Sequence, residues 1–167
     1  MSRFSSASSV SLNLCALLAG LTLSSCSTPP ADRSIDSMYV RLEQSGTSLD
    51  PLSALGLINA YRSKKGLPPL QLDTDLMRAA EGSASKAAAE DRSTFGEMPQ
   101  LPASGGRSAH IKLSAGYLTL AEAFSGWRDV PLYDRAMLSP QARFLGIAAI
   151  RAPQAKYRVY WALATDG

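Results

Sequence analysis

The chain holds a single histidine, His110, and imidazole is the side chain best suited to moving a proton near neutral pH. One histidine cannot build a metal centre by itself. The nearest carboxylates in sequence, Glu97 and Glu122, stand at no spacing diagnostic of a ligand set. On these grounds His110 reads as a structural or surface residue, and neither a metal nor another cofactor is expected. Ser83 and Ser85 lie inside an alanine-rich stretch without the Gly-x-Ser-x-Gly turn that presents a nucleophile. No catalytic residue is therefore assigned.

The two cysteines, Cys15 and Cys26, read differently. Arg3 is followed by the apolar run Val10 to Leu23, and no charge occurs again until Asp32. The run is about 14 residues long, short of the roughly 20 that cross a hydrocarbon layer, so residues 1–25 read as a secretory signal rather than a permanent span. Leu23-Ser24-Ser25-Cys26 resembles the bacterial lipobox, in which two small residues fit a peptidase cleft and the following cysteine takes a diacylglycerol. Cys26 is thus the expected lipid attachment site and first mature residue. The same small residues suit ordinary signal peptidase, which leaves a soluble periplasmic product as the alternative. Ser27, by resemblance to the lipoprotein sorting pattern, points to the outer membrane, facing the periplasm. With Cys15 removed and Cys26 acylated, the folded part has no thiol for a disulfide or a thiolate metal site.

Residues 26–49 open with Ser, Thr and Pro and read as a tether. The remainder, 50–167, is the right length for one domain. A formal net charge of +3, with the signs interspersed, points away from nucleic acid as a partner.

The elements that would position any site follow from caps and periodicity. Asp50-Pro51 is a helix start, and Leu52, Leu55, Ile58 and Tyr61 recur at helical spacing up to Gly66, predicting a helix over 51–65. Asp73 or Thr74 caps a second helix running to about Asp91, with Leu76, Met77, Ala80, Ala84, Ala87 and Ala88 on one face. Residues 93–106, rich in Pro and Gly, form a long connection, and 107–115 a short strand. Thr119 and Glu122 make a capping box for a helix over 120–128. Residues 132–138 give a further helical turn. Phe144 to Ile150 and Tyr157 to Leu163 form an antiparallel hairpin, with Tyr157, Val159, Trp161 and Leu163 on one face. Helices first and sheet last predict an α+β fold.

Leu57-Ile-Asn-Ala-Tyr-Arg-Ser-Lys-Lys-Gly-Leu-Pro-Pro-Leu-Gln-Leu-Asp73, Ala115-Gly-Tyr-Leu-Thr-Leu-Ala-Glu-Ala-Phe-Ser-Gly-Trp127, Gly146-Ile-Ala-Ala149 and Tyr157-Arg-Val-Tyr-Trp-Ala-Leu163 together resemble the bacterial CAP superfamily, also called SCP-like. The resemblance covers about 50–164 and implies an α-β-α sandwich, a small antiparallel sheet flanked by helices. Many members carry two histidines and acidic residues around a central cleft, some with a divalent ion. Here Arg92-Ser-Thr-Phe95 stands where the family often has Phe-Ser-His. Ile111 and Lys112 stand where a Glu-Asn pair is common. Val130-Pro-Leu-Tyr-Asp-Arg135 replaces Ser-Pro-x-His-Arg, putting Tyr133 at the histidine's place.

The resemblance therefore makes Tyr133, Arg135 and His110 the candidate cleft, without metal. Tyr133 can offer a hydroxyl and a ring, and Arg135 a fork for carboxylate or phosphate. In the opposing reading Asp134 and Arg135 pair on the surface while Tyr133 plugs the old site. Trp127 and Trp161 are expected in the core. The leading functional expectation is a non-catalytic envelope lipoprotein that binds a lipid, peptide or envelope protein. A hydrolase using Tyr133 with Glu122 or His110, and a purely structural role, are the alternatives.

Overall fold

In the computed structural model, describing residues 33–92, 96–97, 100–102 and 107–167, helices cover both faces of one twisted sheet. The order is α1 (Arg33–Met38), α2 (Pro51–Lys64), β1 (Gln71–Leu72), α3 (Thr74–Ala89), β2 (Gly96–Glu97), β3 (Leu101–Pro102), β4 (Ser108–Ala115), α4 (Leu120–Asp129), α5 (Pro131–Met137), β5 (Phe144–Ala152) and β6 (Arg158–Thr165). The strands run β1-β5-β6-β4-β2, and β3 also pairs with β4. β4, β5 and β6 are antiparallel neighbours, whereas the two-residue β1 joins β5 in parallel. The expected α-β-α sandwich is thus the fold, with short strands added at both edges. One pair of these, β2 and β3, arises inside the stretch predicted as plain connection.

β6 runs through the middle and is buried on both faces from Val159 to Thr165. Val159, Trp161 and Leu163 point into a core closed by α2, α4 and α5. Tyr160, Ala162 and Ala164 point to the alanine face of α3, made of Ala80, Ala84 and Ala87. A strand buried this way reads as a continuous apolar run rather than an alternation. Tyr157 does not share the Val159 face as predicted. Arg158 takes a left-handed φ of 62°, the step out of register puts Tyr157 beside the α3 core, and the alternation restarts at Val159.

The helix starts follow the predicted chemistry. Asp50 Oδ1 accepts from the Leu52 amide at 3.1 Å and its other oxygen from the Ser53 hydroxyl at 2.6 Å. Asp73, not Thr74, caps α3, accepting from the Asp75 and Leu76 amides at 3.0 and 2.9 Å. Thr119 accepts from the Glu122 amide at 3.1 Å, while the Glu122 carboxylate reaches back to the Leu118 amide at 2.7 Å. The buried face of α2 differs from the predicted stripe. Ala54, Ile58 and Arg62 face inward, and Leu52, in the first turn, is exposed.

Asp73 is also held by Arg107, whose Nη2 donates to its second oxygen at 2.8 Å. The Arg107 hydrogen bond, and then the helix amides, hold the Asp73 carboxyl below its ordinary value. A carboxyl lowered by folding stabilises the fold fully above its unfolded value of about 4, and this is lost as pH falls through the lower folded value. Asp73→Ala is expected to cost about 1–2 kcal/mol at pH 7. In urea unfolding the deficit shrinks as the pH is taken below 4.

The segment predicted as a tether needs correction. From Asp32 onward the chain is one compact unit. Ser37 donates to Ser53 at 2.6 Å, the Leu42 amide donates to the Leu118 carbonyl at 2.8 Å, and Leu42 is buried. Met38, Val40 and Leu49 pack on the same core. Residues 33–49 are therefore part of the domain, since these scattered apolar side chains have a core to join. The signal segment, Cys26 and residues 27–32 lie outside the described residues. No helix among the described residues is long and apolar enough to cross a membrane.

Candidate functional site

On β4 the side chains alternate. Ala109, Ile111 and Leu113 face α3, which leaves His110, Lys112 and Ser114 to the side of α4 and α5. Thr165 of β6 is the register partner of His110. Over this strip lies α5, which starts with Pro131 at its first position and carries Leu132, Arg135 and Ala136 toward the sheet's end. The result is a hollow of about 250 Å³, floored by His110, Lys112 and Thr165 and roofed by Leu132, Arg135 and Ala136. Two cations meet in it, Lys112 buried and Arg135 exposed. No carboxylate side chain is among its described lining residues. His110 Nδ1 sits 3.4 Å from the Gln100 amide nitrogen at the rim.

Tyr133 is not in this hollow. It is 1 % exposed, its ring stacks at 6.3 Å from Trp127, and its hydroxyl donates to the Leu113 carbonyl. Of the three candidate cleft residues, His110 and Arg135 thus line one hollow while Tyr133 is sealed beneath it. Asp134 does not pair with Arg135. Its carboxylate accepts from the Tyr61 hydroxyl at 2.9 Å, tying α5 to α2, and that hydrogen bond raises the Tyr61 phenol above its ordinary value. The two tryptophans are core. Trp127 donates to Ser114 Oγ at 3.0 Å and Trp161 to the Tyr117 carbonyl at 2.8 Å, and their rings meet edge to face at 5.6 Å.

The residue that sequence reasoning missed is Arg62. Fully buried, it donates Nε to the Pro68 carbonyl at 2.8 Å and Nη1 to the carbonyls of Met137 and Ser139 at 2.7 and 2.9 Å. Nη2 lies 3.5 Å from the Ala142 carbonyl. Burial pushes its guanidinium below the ordinary value. Beside it, Asn59 exchanges two hydrogen bonds with the Leu70 backbone, at 2.8 and 2.9 Å. Together the two side chains fix the Pro68-Pro69-Leu70 bend and the C-terminal carbonyls of α5, and so the height of the roof. The available signal was spacing: Arg62 continues the four-residue repeat Ala54, Ile58.

A second depression, of about 320 Å³, lies between α2 and α4. Tyr61 and Phe124 meet edge to face at 5.7 Å in its floor, with Lys65 over one ring and Arg128 over the other at 5.7 and 5.2 Å. Two of its cations, Lys65 and Arg128, are thus engaged with aromatic faces, and Lys64 also lines it.

Among the described residues no group of three or more His, Cys, Asp or Glu is placed to hold a metal ion. Glu122 is bound to the Leu118 amide and Tyr133 to the Leu113 carbonyl, so neither is assembled with His110 into an acid–base pair. What the hollow offers chemically is positive charge and hydrogen-bond donors over a wall of Leu132 and Ala136.

No curated protein matches the chain. Among solved structures, a cysteine-rich secretory protein from Staphylococcus aureus superposes with a TM-score of 0.52 at 14 % identity, covering 73 % of this chain and 40 % of that one. An outer surface protein from Borrelia burgdorferi gives 0.53 at 15 % identity over 72 % of this chain and 96 % of its own. An extracellular protein containing an SCP domain from Bacillus anthracis gives 0.53 at 18 % identity over 69 % and 39 %. The chain thus spans about two fifths of the first and third proteins and nearly all of the second. At such identities the likeness is one of fold. A family model described as the cysteine-rich secretory protein family matches residues 55–164. That match covers most of the described domain, from α2 to β6, and the chain accordingly belongs to the CAP family of cysteine-rich secretory proteins.

Proposed function

We propose that the protein is a non-catalytic binding module of the bacterial cell envelope, held on the outer membrane through an acylated Cys26, and that its hollow takes an anionic group. The observation that carries the binding reading is the meeting of His110, Lys112 and Arg135 in one hollow. Lys112 is buried and Arg135 exposed, and a buried cation attracts a carboxylate or phosphate more strongly than an exposed one because water screens it less. The apolar wall of Leu132 and Ala136 suits the carbon next to such a group. Envelope peptides and lipids both supply this chemistry.

The burial of Tyr133 supports a binding role over the hydrolase that would recruit it, because a hydroxyl spent on the Leu113 carbonyl is not offered to a substrate. The envelope address is supported by the signal-like segment before Cys26 and by the outer surface and extracellular relatives of the same fold.

Calorimetric titration of the mature protein with muropeptides and with micellar anionic lipid separates the two sources. Saturable binding of one of them is expected, weakened about tenfold or more by Arg135→Glu, which reverses the exposed charge at the hollow. Arg135 is exposed and on a helix, so the variant keeps its melting temperature. Absence of saturable binding to either probe, or binding indifferent to Arg135→Glu, overturns the proposal for this hollow.

A further inference from the structure

Three large apolar side chains are well exposed among the described residues: Ile35 at 51 %, Tyr39 at 65 % and Leu52 at 68 %. They are not scattered. Ile35 lies in α1 and Tyr39 directly after its last residue, Met38, where the Tyr39 amide still donates to the Asp36 carbonyl at 3.2 Å. Leu52 adjoins Ser53, the residue through which α2 accepts a hydrogen bond from Ser37 of α1. The packing of α1 on the first turn of α2 therefore gathers all three at one end of the domain, the end nearest Cys26 in sequence. Tyr39 has the ring-plus-hydroxyl character that favours a lipid–water boundary.

We infer that this α1/α2 corner, carrying Ile35, Tyr39 and Leu52, rests on the lipid surface to which the chain is anchored. The inference builds on the acylation of Cys26. From Cys26 to Arg33 there are seven residue steps, which reach at most about 25 Å even when fully extended. The corner is thus never far from the headgroups, and the anchor supplies a high effective concentration that makes three modest contacts sufficient. Without it, so small a patch binds no bilayer measurably. A docked corner also gives the domain one orientation on the membrane in place of free tumbling.

The test uses the full chain, produced with its leader in a bacterial host and purified from membranes. It is reconstituted into phosphatidylethanolamine–phosphatidylglycerol vesicles whose acyl chains carry bromine. Acylation of Cys26 leaves no competing thiol, so Asp36→Cys and, in a second sample, Ser63→Cys accept a fluorescent label at one site each. Both positions are exposed, and Ser63 lies about 16 Å along α2 from Leu52. Quenching by the brominated lipid is expected to be severalfold greater at position 36 than at 63. Replacing Ile35, Tyr39 and Leu52 together by Ser is expected to bring the two to the same level. Equal quenching at both sites in the unsubstituted protein overturns the docking. So does a label at 36 that is shielded from aqueous iodide yet unquenched by lipid, since a protein, a second copy included, then covers the corner. Mass spectrometry on the same preparation keeps the two ideas apart. An unmodified Cys26 overturns the anchor and the docking with it, whereas an acylated Cys26 with an unquenched position 36 overturns the docking alone.

Discussion

Gly146→Val is expected to be the most damaging single substitution in the domain, costing about 4 kcal/mol and lowering the melting temperature by about 10 °C. Gly146 lies in β5, directly under the start of α3. A β-carbon at this position would come within 2.6 Å of the Met77 amide nitrogen and closer still to the Leu76 carbonyl. These are backbone atoms of a helix and cannot swing aside as a side-chain tip does. Leu76 is also pinned through its amide to Asp73, and Met77 through its sulfur to the Ile147 amide at 3.3 Å. Relief would require α3 to lift off the sheet along the seam where Ala80, Ala84 and Ala87 meet Ala148, Ala162 and Ala164. Such small residues pack well only at close approach, so the whole layer loosens together. Thermal unfolding followed by circular dichroism checks the shift. Gly82→Ala is the control, because a β-carbon there meets nothing within 4 Å, and alanine raises helix propensity. It is expected to hold or slightly raise the melting temperature.

Arg62→Met ranks second, at about 3 kcal/mol. The length of the side chain is nearly kept, so the loss is one of hydrogen bonds rather than volume. Four backbone carbonyls, those of Pro68, Met137, Ser139 and Ala142, lose their donor. Oxygens shut away from water and left without a donor cost more than the bonds were worth. Among the described residues no carboxylate pairs with this buried cation. Its charge is balanced by carbonyl dipoles, including those at the C-terminal end of α5, where a helix is electron-rich. Arg62→Lys keeps the charge but loses the planar fork that serves several acceptors at once. Urea titration is expected to rank the native protein above Arg62→Lys and Arg62→Met lowest. Equal midpoints for all three would mean that these carbonyls find water instead.

These two positions also mark the limits of what the sequence discloses. Helix starts were legible at Asp50, Asp73 and Thr119 because a cap is a local contract between a side chain and amides two or three residues on. The hairpin was legible for the same reason, as two β-rich runs with a turn between them. Arg62 was hidden because a charged residue on a helix is ordinarily solvated, and its burial depends on carbonyls up to 80 residues away. Residues 33–49 were hidden because the Ser-, Thr- and Pro-rich start of the segment reads as a tether, whereas Met38, Val40, Leu42 and Leu49 find a core to join only through contacts distant in sequence. The placement of Tyr133 turned on the same kind of distant fact. Its position in sequence allowed both a place in the cleft and a plug of it, and the Leu113 carbonyl across the core accounts for where its hydroxyl went.

The fastening of α5 has a kinetic meaning. Seven residues long, it is bound to β4 through Tyr133, to α2 through Asp134, and again to α2 where Arg62 grips the Met137 carbonyl. A roof nailed through its middle and at its end does not open and shut. On the proposed binding role, a ligand reaching the hollow of His110 and Arg135 would find it already shaped, and capture would be limited by encounter and not by rearrangement. Little ordering entropy remains to be lost on arrival. Such a socket would be fixed, and its selectivity would come from the fit of the guest.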